Sequence, residues 1–224
     1  MVKDPLNGFS WSAALEGENI NDFLTADNFW GEGQEPENPG RQYWLNFVAE
    51  EVAKFNFKGQ QIFRVLEIGF GLGVDYTNLD LAGLLELKYV EYYGAEVTPE
   101  FHQLGIKNMP KAKALALVDG ETLPYTTSFF DVVYMRHILE HQRDYHPLMR
   151  EVFRVCKSMV FINFFIPLTE NDTDEIKFDN VFYHNTYSKS LFTTSINTYG
   201  WKIIDEKIYK RDNSVDNIIV LGGK

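Results

Sequence analysis

The stretch V-L-E-I-G-F-G-L-G at residues 65–73 decides the fold of this chain. A short apolar run from Ile62 ends at Gly69, and the glycines at alternate positions precede a helical pattern. We therefore predict a buried strand over 62–68, a tight glycine turn and a helix over 74–87. Glycines at such a turn permit positive φ angles and leave no Cβ between the backbone and a ligand. A purely structural strand-to-helix turn is the alternative interpretation of these residues alone.

Short apolar runs and helical patterns continue to alternate toward the C-terminus. They predict strands at 89–95, 114–118, 129–135 and 159–166, and helices over 99–108, over 144–156 with Asp144 as N-cap, and over 188–198. Two further runs, at 201–209 and 215–221, are separated by only five residues, which indicates a hairpin. The pattern predicts an α/β fold: a mostly parallel sheet with helices on both faces and a C-terminal antiparallel hairpin.

Two segments differ in composition from this regular part. Residues 1–40 contain eight acidic residues and one base, Lys3, and a helical pattern begins at Arg41. We predict that 1–56 form an acidic arm and helix on the substrate side, and that 57–224 form the main domain. Within that domain, residues 167–187 are polar and then rich in Tyr and Phe, and they are predicted to be an insert or lid.

The composition narrows the class of protein. The chain has 224 residues with a formal net charge of −11, so it lacks the basic surface of a protein that binds DNA directly. Its one cysteine, Cys156, can form neither an internal disulfide nor a thiolate metal site. No apolar run is long enough to cross a bilayer and no secretory signal is evident. These features predict a soluble, cytoplasmic protein without a membrane partner; the sequence does not determine its oligomeric state.

Acidic residues and histidines follow the predicted strands. Glu96 ends the second strand, where a carboxylate can accept both hydroxyls of a ribose, although it also precedes a helix as an ordinary first-turn acid. D-G-E at 119–121 follows the third strand, and M-R-H-I-L-E-H at 135–141 ends the fourth. A nicotinamide fingerprint requires glycine at position 74, which is Val74 here, so a nicotinamide reductase is disfavoured.

Taken in this order, these segments resemble the motifs of class I S-adenosylmethionine-dependent methyltransferases, in the subgroup of small-molecule type with an H-x-L-E-H block. The resemblance implies a Rossmann-like seven-stranded sheet whose last strand is inserted antiparallel, with S-adenosylmethionine as cofactor. Glu67 would orient the loop and the methionine end of the cofactor, Glu96 would bind ribose, and Asp119 and Gly120 would meet adenine. The other residues that it places at the cofactor are Gly69, Phe70, Gly71, Gly73, Val97, Glu121, Met135 and Arg136.

The reaction implied is an in-line methyl transfer, which needs a positioned nucleophile and, for a hydroxyl, a base. We predict a small-molecule or sugar-like hydroxyl acceptor with His141 as base and His137 beside it; alternatively, both histidines only pack the fold. The predicted substrate contacts are Trp30, Tyr43, Tyr183 and Tyr187. No metal site is predicted, because the spacing of the histidines is loose. A methyltransferase acting on a protein or tRNA, and a cofactor-binding or partner-binding protein without catalysis, are the alternative functions.

Overall fold

The computed structural model describes residues 38–57, 62–118, 122–179, 182–210 and 215–223. Within these ranges the helices are α1 (Pro39–Phe57), α2 (Val74–Leu81), α3 (Pro99–Asn108), α4 (His146–Val155) and α5 (Lys189–Thr198). The strands are β1 (Phe63–Ile68), β2 (Val90–Glu96), β3 (Ala114–Leu117), β4 (Phe130–Arg136), β5 (Cys156–Phe164), β6 (Lys202–Lys210) and β7 (Val215–Gly222).

The strands form one seven-stranded sheet in the order β3-β2-β1-β4-β5-β7-β6. Strand β7 lies between β5 and β6 and is antiparallel to both, whereas the pairs formed by β1 to β5 are parallel. The predicted mostly parallel sheet with a C-terminal antiparallel hairpin is therefore confirmed. Because β7 runs in the opposite direction, its first residues reach the same edge as the carboxyl ends of β1, β4 and β5.

Helices cover both faces of the sheet, as predicted. On one face, Trp44 and Val48 of α1 and Leu79 of α2 share a buried cluster with residues of β1, β4 and β5. On the other face, α4 and α5 share a cluster with the alternate residues of the same strands, such as Val133 and Ile162. This alternation buries the sheet on both sides and leaves its carboxyl edge as the place where polar side chains gather.

Several element boundaries differ from the predictions; β5, for example, covers Cys156–Phe164 and not 159–166. Helix α2 ends at Leu81, because Gly83 adopts a φ of 75° and a short 3-10 turn follows at Leu84–Glu86. Helix α4 begins at His146 with Tyr145 at the N-cap position, so the prediction of Asp144 as N-cap is wrong by one residue. Asp144 still accepts the His146 backbone N–H at 2.9 Å and caps this turn from one position further out.

The described part of residues 167–187 forms a small paired insert. Glu175 pairs with Thr186 and Phe178 with Tyr183, both antiparallel. The insert therefore folds back on itself before α5 begins at its N-cap, Ser188. In the described ranges, no helix has the length and apolarity needed to cross a membrane.

Candidate functional site

The glycine loop between β1 and α2 adopts a conformation that requires glycine. Gly69, Gly71 and Gly73 have φ angles of 72°, 50° and 74°, and Gly73 is the N-cap of α2. Side chains at these angles are strained, because Cβ approaches the backbone. The Phe70 ring is buried beneath the loop, and added Cβ atoms on Gly94 and Gly105 would each lie 2.6 Å from it. Phe70 therefore anchors the loop, and Gly71 is the loop glycine with open space beside it, since an added Cβ there would meet no atom within 4 Å.

Glu96 connects the end of β2 to this loop. Its Oε2 accepts the Gly71 N–H at 3.0 Å, and its Oε1 accepts the N–H groups of Val97 at 2.8 Å and Thr98 at 3.0 Å. Burial raises the pKa of Glu96, although these backbone bonds favour its charged form. The carboxylate that the resemblance places at the ribose thus lies directly beside the glycine loop.

Glu67 belongs to a buried network under the first turns of α1 and α2. The Tyr92 hydroxyl donates to Glu67 Oε2 at 2.5 Å, and Arg41 of α1 forms an ion pair with Asp75 of α2. Burial and the nearby Asp75 charge raise the pKa of Glu67 well above its usual value. Glu67 therefore holds a proton more readily than a surface acid does.

His137 follows β4 in a strained backbone conformation. Its φ is 54°, and its backbone N–H donates to the Asn163 carbonyl at 2.8 Å. The ring Nε2 lies 3.4 Å from Asp216 Oδ1. Burial and the adjacent Arg136 charge lower the pKa of His137 to about 3, so the ring is neutral at pH 7. A non-glycine residue held at positive φ is a feature that concentrates at functional sites.

His141 lies one short turn further on, in the 3-10 turn Leu139–His141. Its Nδ1 is 2.7 Å from the Tyr183 carbonyl oxygen. Because a carbonyl can only accept, Nδ1 carries the proton and the lone pair of the neutral ring is on Nε2. Burial lowers the pKa of His141 to about 4, which keeps the ring neutral near pH 7. A neutral imidazole with a defined tautomer can act as a proton acceptor.

Glu140, between these histidines, is fully buried. Its Oε1 accepts the Phe165 N–H at 2.5 Å and lies 3.4 Å from the Ile166 nitrogen, while Oε2 forms no hydrogen bond with any described residue. Burial raises the pKa of Glu140 to about 8. The side chain ties the H-x-L-E-H block to the segment after β5, and therefore fixes the position of both histidines.

The raised pKa predicts how stability depends on pH. Since the folded state binds the Glu140 proton more tightly than the unfolded state, the free energy of unfolding should fall as pH rises from about 5 to about 8. The slope from one group is at most about 1.4 kcal/mol per pH unit. Glu140→Gln keeps an acceptor for Phe165 and cannot titrate, so we expect the variant to lose this part of the slope. Urea unfolding of both proteins at several pH values measures the difference, and parallel curves would contradict the prediction.

Aromatic rings surround His141 on the side of the insert. Its ring centroid lies 5.2 Å from Phe165, 6.0 Å from Phe182 and 5.7 Å from His184. His184 Nε2 lies 3.0 Å from Asp179 Oδ2. The structure therefore brings the insert against the H-x-L-E-H block, which the sequence pattern alone did not predict.

The predicted substrate residues take different positions. Tyr183 packs against Phe178 with its ring tilted by 38° and provides the carbonyl that orients His141. Tyr187 is buried and its hydroxyl donates to the Leu139 carbonyl at 2.6 Å, so it supports the H-x-L-E-H block. Tyr43 hydrogen-bonds to Asp205 and packs on Phe161, which holds α1 on the sheet.

Four other predicted residues lie outside the described residues: Trp30, Asp119, Gly120 and Glu121. Residues 1–37 of the predicted acidic arm lie outside them as well. Met135 is buried in the core at the end of β4, next to Arg136. Within the described ranges, no three His, Cys, Asp or Glu side chains are grouped as metal ligands.

Sequence reasoning missed the polar residues that antiparallel pairing brings to the site. Asp216, at the start of β7, accepts a hydrogen bond from Asn163 Nδ2 at 2.7 Å and lies 3.1 Å from Arg136 Nη2. Burial opposes its ionisation, but His137 and Arg136 lower the pKa of Asp216. The predicted hairpin was the one sequence feature that could have pointed to Asp216. An inserted antiparallel strand begins at the edge where its parallel neighbours end.

Residues 66–162 match the family model described as a methyltransferase domain. This range contains the glycine loop, Glu96 and both histidines of the H-x-L-E-H block. A search of curated proteins finds no match to the sequence.

Solved structures share the fold at low sequence identity. The 1,6-didemethyltoxoflavin-N1-methyltransferase of Burkholderia thailandensis, with bound S-adenosylhomocysteine, has a TM-score of 0.65 at 12% identity and covers 96% of this chain and 89% of its own. Magnesium protoporphyrin IX methyltransferase of Synechocystis, with bound S-adenosylmethionine, has a TM-score of 0.64 at 12% identity, with coverages of 95% and 94%. An S-adenosylmethionine-dependent methyltransferase of Methanosarcina mazei has a TM-score of 0.57 at 17% identity, with coverages of 73% and 93%.

The H-x-L-E-H subgroup is not distinguished by these comparisons. Residues 66–162 match a methyltransferase domain, and the chain has the fold of class I S-adenosylmethionine-dependent methyltransferases. A domain of this kind implies S-adenosylmethionine as the cofactor.

Proposed function

We propose that this protein transfers the methyl group of S-adenosylmethionine to a hydroxyl of a small-molecule acceptor, with His141 as general base. The observation that carries the proposal is that the glycine loop, the Glu96 carboxylate and two histidines all lie at one edge of the sheet. Three glycines at positive φ lie beside the Glu96 carboxylate, and two neutral histidines follow the neighbouring strand.

The part of this edge formed by the glycine loop and Glu96 suits the cofactor. The glycine backbone leaves room for the close approach of a ligand, and an added Cβ on Gly71 would meet nothing within 4 Å. Glu96 presents a carboxylate to the same space, where it would accept ribose hydroxyls. Val97, which follows Glu96, would flank the nucleoside, and Glu67 would support the loop under the methionine end.

The part of this edge around His141 suits a hydroxyl acceptor. When a hydroxyl oxygen attacks the methyl carbon, the carbon–sulfur bond breaks and the hydroxyl proton must be accepted by a base. His141 Nε2 carries the lone pair of the neutral ring, since Nδ1 donates to the Tyr183 carbonyl. Phe165 and Phe182 beside His141 provide apolar ring surface for a small acceptor. The two neighbours with named substrates act on small molecules, which agrees with an acceptor of this size.

Titration calorimetry of the purified protein tests the proposal. S-adenosylmethionine and S-adenosylhomocysteine should bind, and NADH should not. A screen of phenols and sugars with the bound cofactor would then identify the acceptor by product mass. If neither sulfur compound binds and NADH does, the glycine loop serves a different cofactor and the proposal is wrong.

A further inference from the structure

His184 of the insert forms a hydrogen-bonded pair with Asp179 directly beside His141. The two imidazole rings meet edge to face, with their centroids 5.7 Å apart and an angle of 76° between their planes. Both rings have the same two phenyl neighbours. Phe165 lies 5.2 Å from His141 and 6.2 Å from His184, and Phe182 lies 6.0 Å from the first imidazole and 6.4 Å from the second. The proposed methyl transfer uses only one of these two histidines.

The contact with Asp179 defines the tautomer of His184. The Nε2 atom of His184 lies 3.0 Å from Asp179 Oδ2. Because a carboxylate can only accept, Nε2 carries the proton and the lone pair of the neutral ring is on Nδ1. Asp179 is itself held in place, since its Oδ1 accepts the Phe182 N–H at 2.7 Å. The His184 backbone N–H donates to the Lys177 carbonyl at 2.8 Å, so the ring is fixed at both ends.

Two imidazole acceptors therefore lie side by side at the edge of the insert. The side chain of His184 is 39% exposed, so its ring can contact a ligand. The acceptor atom of the neutral His141 ring is Nε2, because Nδ1 donates to the Tyr183 carbonyl. One acceptor suffices for the proton of a reacting hydroxyl. A second acceptor one ring away, with phenyl surface beside both, suits a ring compound that carries a second hydroxyl next to the first.

We infer that the methyl acceptor carries two hydroxyls on adjacent carbons, and that His184 binds the hydroxyl that is not methylated. The inference rests on the proposed function, in which His141 accepts the proton of the reacting hydroxyl. The other hydroxyl would donate to His184 Nδ1 and hold the reacting oxygen in line with the methyl group. An aromatic 1,2-diol and a sugar-like ring share this chemistry. His184 is then a specificity-determining residue.

His184→Gln and His184→Asn separate the hydroxyl contact from the structural contact with Asp179. The glutamine amide reaches the position of Nε2 and can still donate to Asp179, but it places no acceptor at the position of Nδ1. The asparagine amide reaches only the position of Nδ1, where its oxygen can accept from a hydroxyl. His146→Gln is the matched control, because His146 Nδ1 pairs with Asp144 Oδ1 at 2.7 Å on the surface. Thermal unfolding reports whether each variant is folded.

Calorimetry at about pH 8, where free histidine is neutral, compares catechol with its isomer resorcinol, whose hydroxyls are not adjacent. Both are titrated into the S-adenosylhomocysteine complex. Wild type and His146→Gln should bind catechol about 2- to 10-fold more tightly than resorcinol, the range for one neutral hydrogen bond. His184→Gln should lose this preference, and His184→Asn should retain part of it.

Three results would overturn the inference. The first is equal affinity of wild type for the two isomers, and the second is absence of binding of both. The third is a preference that His184→Gln keeps, because this variant lacks the acceptor but preserves the contact with Asp179. His184 would in that case only brace the insert.

A non-aromatic diol distinguishes the two kinds of acceptor. If the acceptor is sugar-like, the wild-type complex should also prefer cis-1,2-cyclohexanediol over the cis-1,3 isomer, and His184→Gln should lose this preference. If the acceptor is aromatic, only the catechol preference should be found. Either result supports the site for adjacent hydroxyls.

Failure of the proposed function gives a different result. If S-adenosylhomocysteine does not bind, catechol and resorcinol are titrated into the free protein. A catechol preference that His184→Gln abolishes would support the diol site without methyl transfer. If the preference is found in the complex but S-adenosylmethionine and catechol give no methyl ether, the proposed function is wrong and the diol site stands. If neither form of the protein distinguishes the isomers, the inference is overturned regardless of cofactor binding.

Discussion

Replacing His141 by glutamine should lower kcat by about 10²- to 10⁴-fold, the usual contribution of a general base, while S-adenosylhomocysteine affinity stays unchanged. The expectation follows from the orientation of the ring, whose Nδ1 lies 2.7 Å from the Tyr183 carbonyl oxygen. Glutamine can still donate to this carbonyl, so the insert keeps its anchor while the basic nitrogen is lost. Steady-state kinetics with the acceptor found by the screen measure the effect.

His146→Gln is the matched control. His146 begins α4, its side chain is 51% exposed, and it contacts Asp144 on the surface. Its replacement should leave kcat within about twofold of wild type, as expected for a surface substitution. Wild-type turnover in His141→Gln would leave proximity and alignment as the whole contribution of the enzyme, and the histidine would then only pack the fold.

The pH dependence of kcat/KM gives an independent check of His141 as the general base. A base acts in its neutral form, so the rate should hold above its pKa and fall as pH drops through it. Burial lowers the pKa of His141 to about 4, whereas an unperturbed histidine titrates near 6.5. We therefore expect kcat/KM to remain level from neutral pH down to about pH 5. A fall centred near 6.5 would contradict the assignment of this buried ring.

The glycine loop and Glu96, which we propose as the cofactor side of the site, could be placed at one sheet edge from sequence because their signals are local. The glycines at 69, 71 and 73 and the acid at Glu96 each follow a predicted strand, and parallel strands end at one edge. The contact between Glu96 and Gly71 was not predicted, since residues 25 positions apart meet only through the β1–β2 pairing.

The arrangement around His141, which we propose as the acceptor side, depends on contacts that have no local pattern. Tyr183 orients His141 across 42 residues, from an insert with no helical or strand period in its sequence. Asp216 reaches Arg136 because β7 is inserted between β5 and β6, an arrangement fixed by the whole sheet. Sequence periodicity identifies the elements, whereas these pairings are set by tertiary packing.

Replacing Glu96 by alanine should weaken the binding of S-adenosylmethionine and S-adenosylhomocysteine by about 10- to 150-fold, which corresponds to about 1.5–3 kcal/mol for charge-assisted hydrogen bonds. Two effects act in the same direction. The variant loses the acceptor for ribose, and the Gly71, Val97 and Thr98 N–H groups lose theirs. Calorimetry measures the affinity for the cofactor. Thermal unfolding measures how much of the loss of affinity comes from destabilisation of the glycine loop.

Glu100→Ala separates this role from a general charge effect at the start of α3. Glu100 is exposed in the first turn of α3, four residues beyond Glu96, so its removal changes the charge near the helix without touching the loop. We expect this variant to bind the cofactor with wild-type affinity. Equal losses in both variants would mean that Glu96 acts only as a helix-terminal acid.

The ribose contact itself can be isolated with a 2′-deoxy analogue of S-adenosylhomocysteine. If Glu96 accepts the ribose hydroxyl, wild type should prefer the natural ligand and Glu96→Ala should lose that preference, because the two changes remove the same interaction. If the preference persists in the variant, Glu96 affects affinity only by holding Gly71. The loop would then be the true binding element, and the ribose hydroxyls would be bound by another part of the chain.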